Sequence, residues 1–427
     1  MPSEAQPQLN KERHIKYWKR CAQLLPEPYT TGESSRMSFG FFIVAALDLL
    51  GALESAITPE ERHSWVEWIY ACQVPHTGGF RGFPGTGLGP LRSPHNWHWD
   101  PANLPNTYFA LATLLVLGDD LARVRRRECL AWVRRLQLPD GSFGEFLGED
   151  QVVQGGRDPR LCLCAAGTMR ILVGDGDGDG ELGRVGGIDQ LRLQQYLANC
   201  QSLEGGIAQA PLLEAHSGLN YCAIATLSFL SQSQNRQASI QELAGHAGLD
   251  LVSCARWMLE RQTTWIEDED EDEDEDGDED GDDANKEETQ PDEEVKQESK
   301  ESGMIAGFCG RSGKIADTCY CFWNVGALKV DTSERTCLSR SWIDNLQILN
   351  NEHLVEVEAL RRYLLQTVTH IIGGFGKGPG ELPDLLHSYL GLAVLAIYKE
   401  PGLKEFDATF CFSVDAVQNL KRVAWTR

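Results

Sequence analysis

The chain has 427 residues, 42% of them apolar, enough to bury a large core in one big domain or two or three smaller ones. Its first 21 residues contain no signal-peptide core, and the apolar stretch 40–53 holds an Asp and is too short for a bilayer. We therefore expect a cytoplasmic protein without a membrane span. The thirteen cysteines form no C-x-x-C pair, which argues against a zinc finger or thioredoxin motif and favours buried free thiols.

The net charge of −24 is concentrated in one segment. Residues 267–301 hold 22 Asp and Glu and 3 Lys, a local charge of −19, so the rest of the chain carries only −5. Because this composition cannot bury apolar surface, we expect a disordered acidic loop insertion. Docking of a basic partner is the alternative role for it. No basic patch stands out, which disfavours binding of nucleic acid.

Five segments share a Gln followed by a glycine turn. They are Gln73 with 77–80, Gln137 with 140–143, Gln201 with 205–207, Gln262 with 306–308, and Gln366 with 373–375. The acidic run separates the fourth Gln from its turn, so it interrupts one repeat of a single domain spanning 1–427. A Gly/Asp loop at 174–188 imitates the start of a calcium loop but has Gly186 where Glu is required, so we expect a flexible loop.

An apolar helix is predicted after each glycine turn. These helices cover 106–118, 160–173, 219–231, 318–330 and 386–398. More amphipathic helices alternate with them at 125–137, 191–201, 249–262 and 357–366. Strand signals are weak, so the pattern predicts an all-α fold of stacked helical hairpins. If the ring closes, it forms an α–α barrel whose inner-helix N-termini line a central cavity suited to a phosphorylated ligand.

The segment 310–323, GRSGKIADTCYCFW, holds the most informative chemistry. Asp317 and Cys319 offer a carboxylate and a thiolate, and His387 begins the next inner helix, so the three could hold zinc with one open position. On spacing alone, a structural role for this pair remains the commoner interpretation. Arg311 and Lys314, one turn apart, could clamp phosphate oxygens or simply face solvent.

The Gln/Gly-turn repeat, the R-x-x-K-x-x-D-x-C-Y-x-x-W string and the segment around His387 resemble the β subunits of protein prenyltransferases over nearly the whole chain. The resemblance implies an α–α barrel paired with a helical α subunit, and one Zn²⁺ per β subunit on Asp317, Cys319 and His387. It implies isoprenoid diphosphate binding by His216, Ser217, Gly218, Arg311, Lys314, Tyr320 and Lys377. It implies isoprenoid and peptide contacts at Ser38, Phe42, Arg160, Trp323 and Leu386.

Several positions indicate which member of the family is resembled. Ser38 stands where the farnesyl enzyme has a tryptophan, and leaves room for a C20 lipid. Lys377 stands where the farnesyl and Rab enzymes have a Mg²⁺-linked aspartate, and Leu386 resembles the type I geranylgeranyl enzyme. The expected reaction is transfer from geranylgeranyl diphosphate to C-a-a-X proteins such as Rho-type small GTPases, with Mg²⁺ not required.

Other functions stay open at this point. Rab-type and farnesyl β subunits are alternatives within the family. Residues 103–105 stand where the type I enzyme has a His-x-Ala that contacts the last peptide residue, so the resemblance leaves the residue preferred at that position open. A class II terpene cyclase, whose acid motif is matched only inside the acidic run at 280–283, is a remote alternative. A non-catalytic α–α toroid binding module is another, and bound zinc would argue against both.

Overall fold

The computed structural model describes residues 7–29, 31–93, 95–96, 101–174, 187–232, 238–266, 303–330, 354–423 and 425. Fifteen α-helices lie in these residues: α1 (Lys11–Gln23), α2 (Arg36–Leu49), α3 (Leu53–Ala56), α4 (Pro59–Ala71), α5 (Leu104–Val116), α6 (Arg126–Arg135), α7 (Pro159–Val173), α8 (Gln190–Asn199), α9 (Ser217–Ser231), α10 (Ile240–Ala247), α11 (Leu251–Leu259), α12 (Thr318–Lys329), α13 (Val357–Arg362), α14 (Leu385–Ile397) and α15 (Val414–Gln418). The predicted acidic insertion at 267–301, and residues 175–186 of the predicted loop, lie outside the described residues.

Three short antiparallel strand pairs also lie in the described residues. They are β1 (Phe146–Leu147) with β2 (Val153–Gln154), β3 (Gln262–Thr263) with β4 (Gly307–Phe308), and β5 (Phe406–Asp407) with β6 (Phe412–Ser413). Each strand has only two residues, so the fold is all-α, as the sequence predicts. None of the helices in the described ranges has the length and apolar content needed to cross a membrane.

Six apolar helices form a closed inner ring. Helix α2 packs on α5, α5 on α7, α7 on α9, α9 on α12 and α12 on α14, and α14 returns to α2. These helices are buried on almost every side, which explains why their sequences are apolar all round. The predicted α–α barrel is confirmed, and α2 is a sixth inner helix that the repeat pattern did not assign.

Three of the repeated glutamines join one hairpin to the next. The side-chain amide of each donates to the backbone oxygen, and accepts from the backbone N–H, of the residue that caps the following outer helix. The pairs are Gln137 with Asp189, Gln201 with Asp250 and Gln262 with Glu356, at 2.7 to 3.1 Å. In these three repeats a single Gln therefore fixes the start of the next repeat's outer helix.

The glycine turns allow adjacent repeats to approach closely. Gly141 has a φ of +95°, and a Cβ there would lie 2.1 Å from the carbonyl oxygen of Arg192. Gly373 has a φ of +92° and approaches α1 in the same way, with Arg13 as its neighbour. Because α1 belongs to the first repeat, this contact closes the outer layer.

The fifth repeat differs from the predicted pattern. Its turn forms a bridge from Thr369 to Phe375, whereas the other four bridges start at a Gln. Gln366 lies in a π-helical turn, Tyr363–Thr367, that follows α13. The wider winding of a π-helix shifts the residue that reaches the bridge position, so Gln366 does not take the part of the other glutamines.

Candidate active site

A cavity of about 670 Å³ lies inside the ring. Its lining is mostly aromatic and aliphatic, with polar groups contributed at the N-terminal ends of α7 and α9. The predicted residues Phe42, Arg160, His216, Gly218 and Trp323 all line it. The expectation that inner-helix N-termini face a central cavity is therefore met at two helices.

The predicted metal ligands come together at the N-termini of two neighbouring inner helices. One donor atom each from Asp317, Cys319 and His387 lies within 4.8 Å of the other two. Asp317 caps α12 by accepting the backbone N–H of Cys319 at 2.7 Å, and its carboxylate lies 3.3 Å from His387 Nε2. The two cluster residues of α12 are thereby placed against the first turn of α14.

A threonine between the two ligands of α12 ties this helix to the turn before α14. The Thr318 hydroxyl donates to the carbonyl oxygen of Gly376 at 2.7 Å, and its N–H donates to that of Lys377 at 2.9 Å. These bonds hold Asp317 and Cys319 in register with His387. They also place the backbone of Lys377, whose side chain is exposed, beside the cluster.

Asp384 orients the histidine of the cluster. It caps α14 by accepting the His387 N–H at 2.9 Å, and its second oxygen lies 2.5 Å from His387 Nδ1. With Nδ1–H donated to Asp384, Nε2 is the nitrogen turned toward Asp317 and Cys319. A carboxylate behind a ligating histidine is the usual arrangement in metal sites.

The pKa values of the three cluster residues are shifted by burial and by the charges of their neighbours. Burial disfavours the charged imidazole, but hydrogen bonds to Asp317 and Asp384 outweigh it and raise the pKa of His387 to about 9. Burial alone would raise the pKa of Asp317, yet His387 and the Cys319 N–H hold that pKa below its usual range. Burial, then the charge of Asp317, raise the pKa of the Cys319 thiol far above its usual value.

These donors fit zinc. Oxygen, sulfur and nitrogen are its ordinary ligands, and three protein ligands with an open fourth position are typical of catalytic zinc. A tetrahedral ion with bonds of ~2.0–2.3 Å separates its ligand atoms by roughly 3.3–3.8 Å, so only a small closure is required. The side chains of Asp317 and His387 are 8% and 12% exposed, so the cluster is nearly buried.

A histidine and a tyrosine form a second polar group. His216 caps α9, where its Nδ1 accepts the Gly218 N–H at 3.1 Å, and its Nε2 lies 3.3 Å from the Tyr320 hydroxyl. Burial, then the charges of Arg311 and Arg160, lower the pKa of His216. The neutral ring thus carries its proton on Nε2 and donates to Tyr320, so the phenol O–H can donate to a ligand.

Three further predicted diphosphate residues are Arg311, Lys314 and Ser217. Arg311 Nη1 bonds Glu214 at 3.1 Å, and Lys314 is exposed. Ser217 is fully buried, and its hydroxyl contacts the carbonyl oxygens of Cys309 and Gly310 at 3.2 Å. The Ser217 side chain therefore supports the loop that carries Arg311.

Arg160 is held by a buried carboxylate. Its Nε and Nη2 donate to the two oxygens of Asp158 at 3.0 and 2.7 Å, and the Asp158 side chain is only 3% exposed. The guanidinium itself is 66% exposed and lies at the cavity wall. A bidentate pair of this kind fixes the direction of the charge.

The predicted contact residues Ser38 and Leu386 lie on neighbouring inner helices. Ser38 is in the first turn of α2, where its hydroxyl bonds the Ser35 carbonyl oxygen at 2.7 Å, and Phe41 and Phe42 follow one turn later on the cavity wall. Leu386 is half-buried in the first turn of α14 beside His387.

Sequence reasoning missed Asp384, Asp158 and Glu214. Asp158 and Asp384 had a readable signal, because an Asp just before the start of an apolar helix is a typical N-cap. Glu214 had none, because its partner Arg311 lies 97 residues further along the chain.

Comparison with known proteins identifies the family of this chain. The description "Prenyltransferase alpha-alpha toroid domain" matches residues 9–412. The chain is 28% identical over 425 residues to a geranylgeranyl transferase type-1 subunit beta of Arabidopsis thaliana, covering 94% of this chain and 89% of the relative. The subunit of the same name from Dictyostelium discoideum is 28% identical, with 93% of each chain covered. A protein farnesyltransferase subunit beta of Schizosaccharomyces pombe is 24% identical, covering 91% and 78%.

A solved structure agrees on the fold. Candida albicans protein geranylgeranyltransferase-I complexed with GGPP superposes with a TM-score of 0.71 at 24% identity, covering 97% of this chain and 98% of that one. The resemblance drawn from the Gln/Gly repeat and the D-x-C string is therefore confirmed. This chain belongs to the prenyltransferase α–α toroid family.

Proposed function

We propose that this chain is the zinc-dependent β subunit of a type I protein geranylgeranyltransferase. It would transfer a C20 group from geranylgeranyl diphosphate to the cysteine thiol of a C-terminal C-a-a-X motif. The observation that carries the proposal is the meeting of Asp317, Cys319 and His387 at the inner-helix N-termini, where the His216–Tyr320 pair and the apolar cavity also lie.

Asp317, Cys319 and His387 would hold the zinc, with Asp384 keeping His387 Nε2 free to bind. A zinc ion bound there supplies Lewis acidity, which lowers the pKa of a substrate thiol so that it reacts as the thiolate. The ring wall and the buried helices behind it exclude water from the reacting atoms, which limits hydrolysis of the diphosphate.

The diphosphate would lie over the N-terminus of α9. There the Tyr320 hydroxyl is oriented by His216, and Arg311 can exchange Glu214 for a phosphate oxygen. Lys314 and Lys377 are exposed lysines that would add positive charge. These donors stabilise the negative charge that grows on the leaving diphosphate as the bond to C1 breaks. Because Lys377 would supply charge where relatives use a metal-linked aspartate, we expect no requirement for Mg²⁺.

The isoprenoid chain would fill the cavity. Phe42 and Trp323 line its wall and Arg160 lies at its polar side, where a substrate peptide would enter. Ser38 would leave room for the fourth isoprene unit, and Leu386 would be a further isoprenoid or peptide contact. The remaining elements of the proposal are a helical α subunit as partner, Rho-type small GTPases among the substrates, and a cytoplasmic location.

The test is a prenyl-transfer assay on this chain co-expressed with candidate α subunits. Labelled C15 and C20 diphosphates are offered with peptides ending in C-a-a-Leu and C-a-a-Ser. We expect C20 transfer to the Leu peptide, one zinc per complex, and activity that persists when Mg²⁺ is chelated in the presence of zinc. Preferred C15 transfer would favour the farnesyl class, and strict Mg²⁺ dependence would contradict the role given to Lys377.

A further inference from the structure

The segment 406–413 closes the ring from below, and we name it the floor hairpin. It runs from β5 through a tight turn to β6, and three inner-ring tyrosines hold it through its backbone. Tyr108 donates to the carbonyl oxygen of Phe410 at 3.0 Å, Tyr221 to that of Ala408 at 2.9 Å, and Tyr389 to that of Cys411 at 2.6 Å. The cavity is therefore closed at this end.

The three tyrosines occupy equivalent positions in their helices, and this sets the depth of the floor hairpin in the ring. Each tyrosine is the fifth residue of its inner helix, α5, α9 or α14. Four residues of α-helix rise about 6 Å, so the three hydroxyls meet the hairpin at one level below the helix N-termini. The bonds go to backbone carbonyl oxygens, and a side chain can change without removing them.

Hydrogen bonds within the hairpin also hold its conformation. The Asp407 carboxylate accepts the N–H groups of Thr409 and Phe410 at 2.9 Å, and Cys411 donates its N–H to the Asp407 carbonyl oxygen at 2.9 Å. The Phe410 ring packs against Phe229 at 4.8 Å between centroids. These contacts are those of an ordered hairpin that packs against the inner helices.

Cys411 is the hairpin residue that faces the cavity. It lines the cavity together with Phe41, Phe42 and Tyr108, while its neighbours Phe410 and Phe412 are buried in the core. Among the cysteines of the described ranges, it alone is only partly buried, whereas the others are buried. Its φ of +62° is uncommon for a residue with a side chain.

We propose that Cys411 is the contact at which the far end of the isoprenoid chain stops, a second determinant of chain length beside Ser38. This inference rests on the proposed function. The N–H and the carbonyl oxygen of Cys411 are both hydrogen-bonded. A change of its side chain therefore alters the depth of the cavity and leaves the floor hairpin in place. A larger residue should shorten the accepted lipid, and removal of the side chain should lengthen it.

The test uses Cys411→Leu, Cys411→Gly and the matched Cys411→Ser in the co-expressed complex. Binding and transfer are measured separately with C15, C20 and C25 diphosphates. For Cys411→Leu we expect the C20-to-C15 ratio to fall roughly tenfold or more, since single methylene groups discriminate by about 10–200-fold in such pockets. Cys411→Gly should gain C25 relative to C20, and Cys411→Ser should keep the wild-type ratio.

Unchanged ratios in Cys411→Leu and Cys411→Gly would overturn the inference. If wild type binds C20 diphosphate but transfers nothing, the proposed function fails, while the binding ratios still report on the floor.

Discussion

Asp384 both caps α14 and orients the His387 ring, and the substitution Asp384→Asn separates these two roles. An Asn side-chain oxygen caps a helix about as well as Asp, so the bond from the His387 N–H should survive. The second Asp384 oxygen, 2.5 Å from His387 Nδ1, becomes an NH₂ donor. Two donors then face each other, so the imidazole should move its proton to Nε2. That proton points at the space between Asp317 and Cys319, where a metal would bind.

Loss of a carboxylate behind a ligating histidine lowers metal affinity 10- to 100-fold, or about 1.4–2.7 kcal/mol. We therefore expect Asp384→Asn to weaken zinc binding by that factor, measured by competition with a chromogenic chelator. The helical CD signal should match wild type. Asp250→Asn is the control, because Asp250 caps the outer helix α11 without contacting a histidine in the described structure. A zinc affinity within threefold of wild type would refute the orienting role of Asp384.

Three further predictions follow from single contacts. Cys319→Ala should abolish zinc binding and transfer with the helical CD intact, and loss of helix would mean that the metal is structural. Ser38→Trp should shift lipid preference from C20 toward C15, and unchanged selectivity would place the pocket limit elsewhere. Burial, then Arg13, lower the pKa of His14 to about 4 from 6.5. Stability should thus fall by up to about 3 kcal/mol as the pH drops from 6.5 toward 4. In His14→Asn, which keeps an acceptor for the Gly374 N–H, urea titrations should show a smaller fall.

The inner helices could be predicted from the sequence because segments of this length that are apolar on nearly every side indicate buried helices. The predicted start of the fourth, residue 318, coincides with the start of α12, and that of the fifth, residue 386, falls one residue after the start of α14. Helix α2 was not assigned, since no glycine turn of the repeat precedes it. The shift from Gln366 to Thr369 could not be predicted either, because a π-helical turn leaves no composition signal.

Residue types and a family resemblance predicted which residues form the candidate metal site. They did not predict the geometry of that site. Nothing in the string around Asp317 indicates that Thr318 bonds Gly376 and Lys377. Equally, no pattern indicates that His216 and Tyr320, 104 residues apart, share a hydrogen bond. Such contacts depend on how two inner helices meet, which a single-helix pattern does not encode.

The candidate functional groups of this protein therefore lie at the joints between neighbouring inner helices. The candidate metal cluster needs α12 and α14 in register, and the His216–Tyr320 pair needs α9 and α12 in register. In three repeats a Gln sets the register from outside, and Thr318 sets it at the joint between α12 and α14. Because the ring is closed, a shift at one joint must be absorbed by the others. This explains why the three donor atoms can lie within 4.8 Å of one another although His387 follows Cys319 by 68 positions.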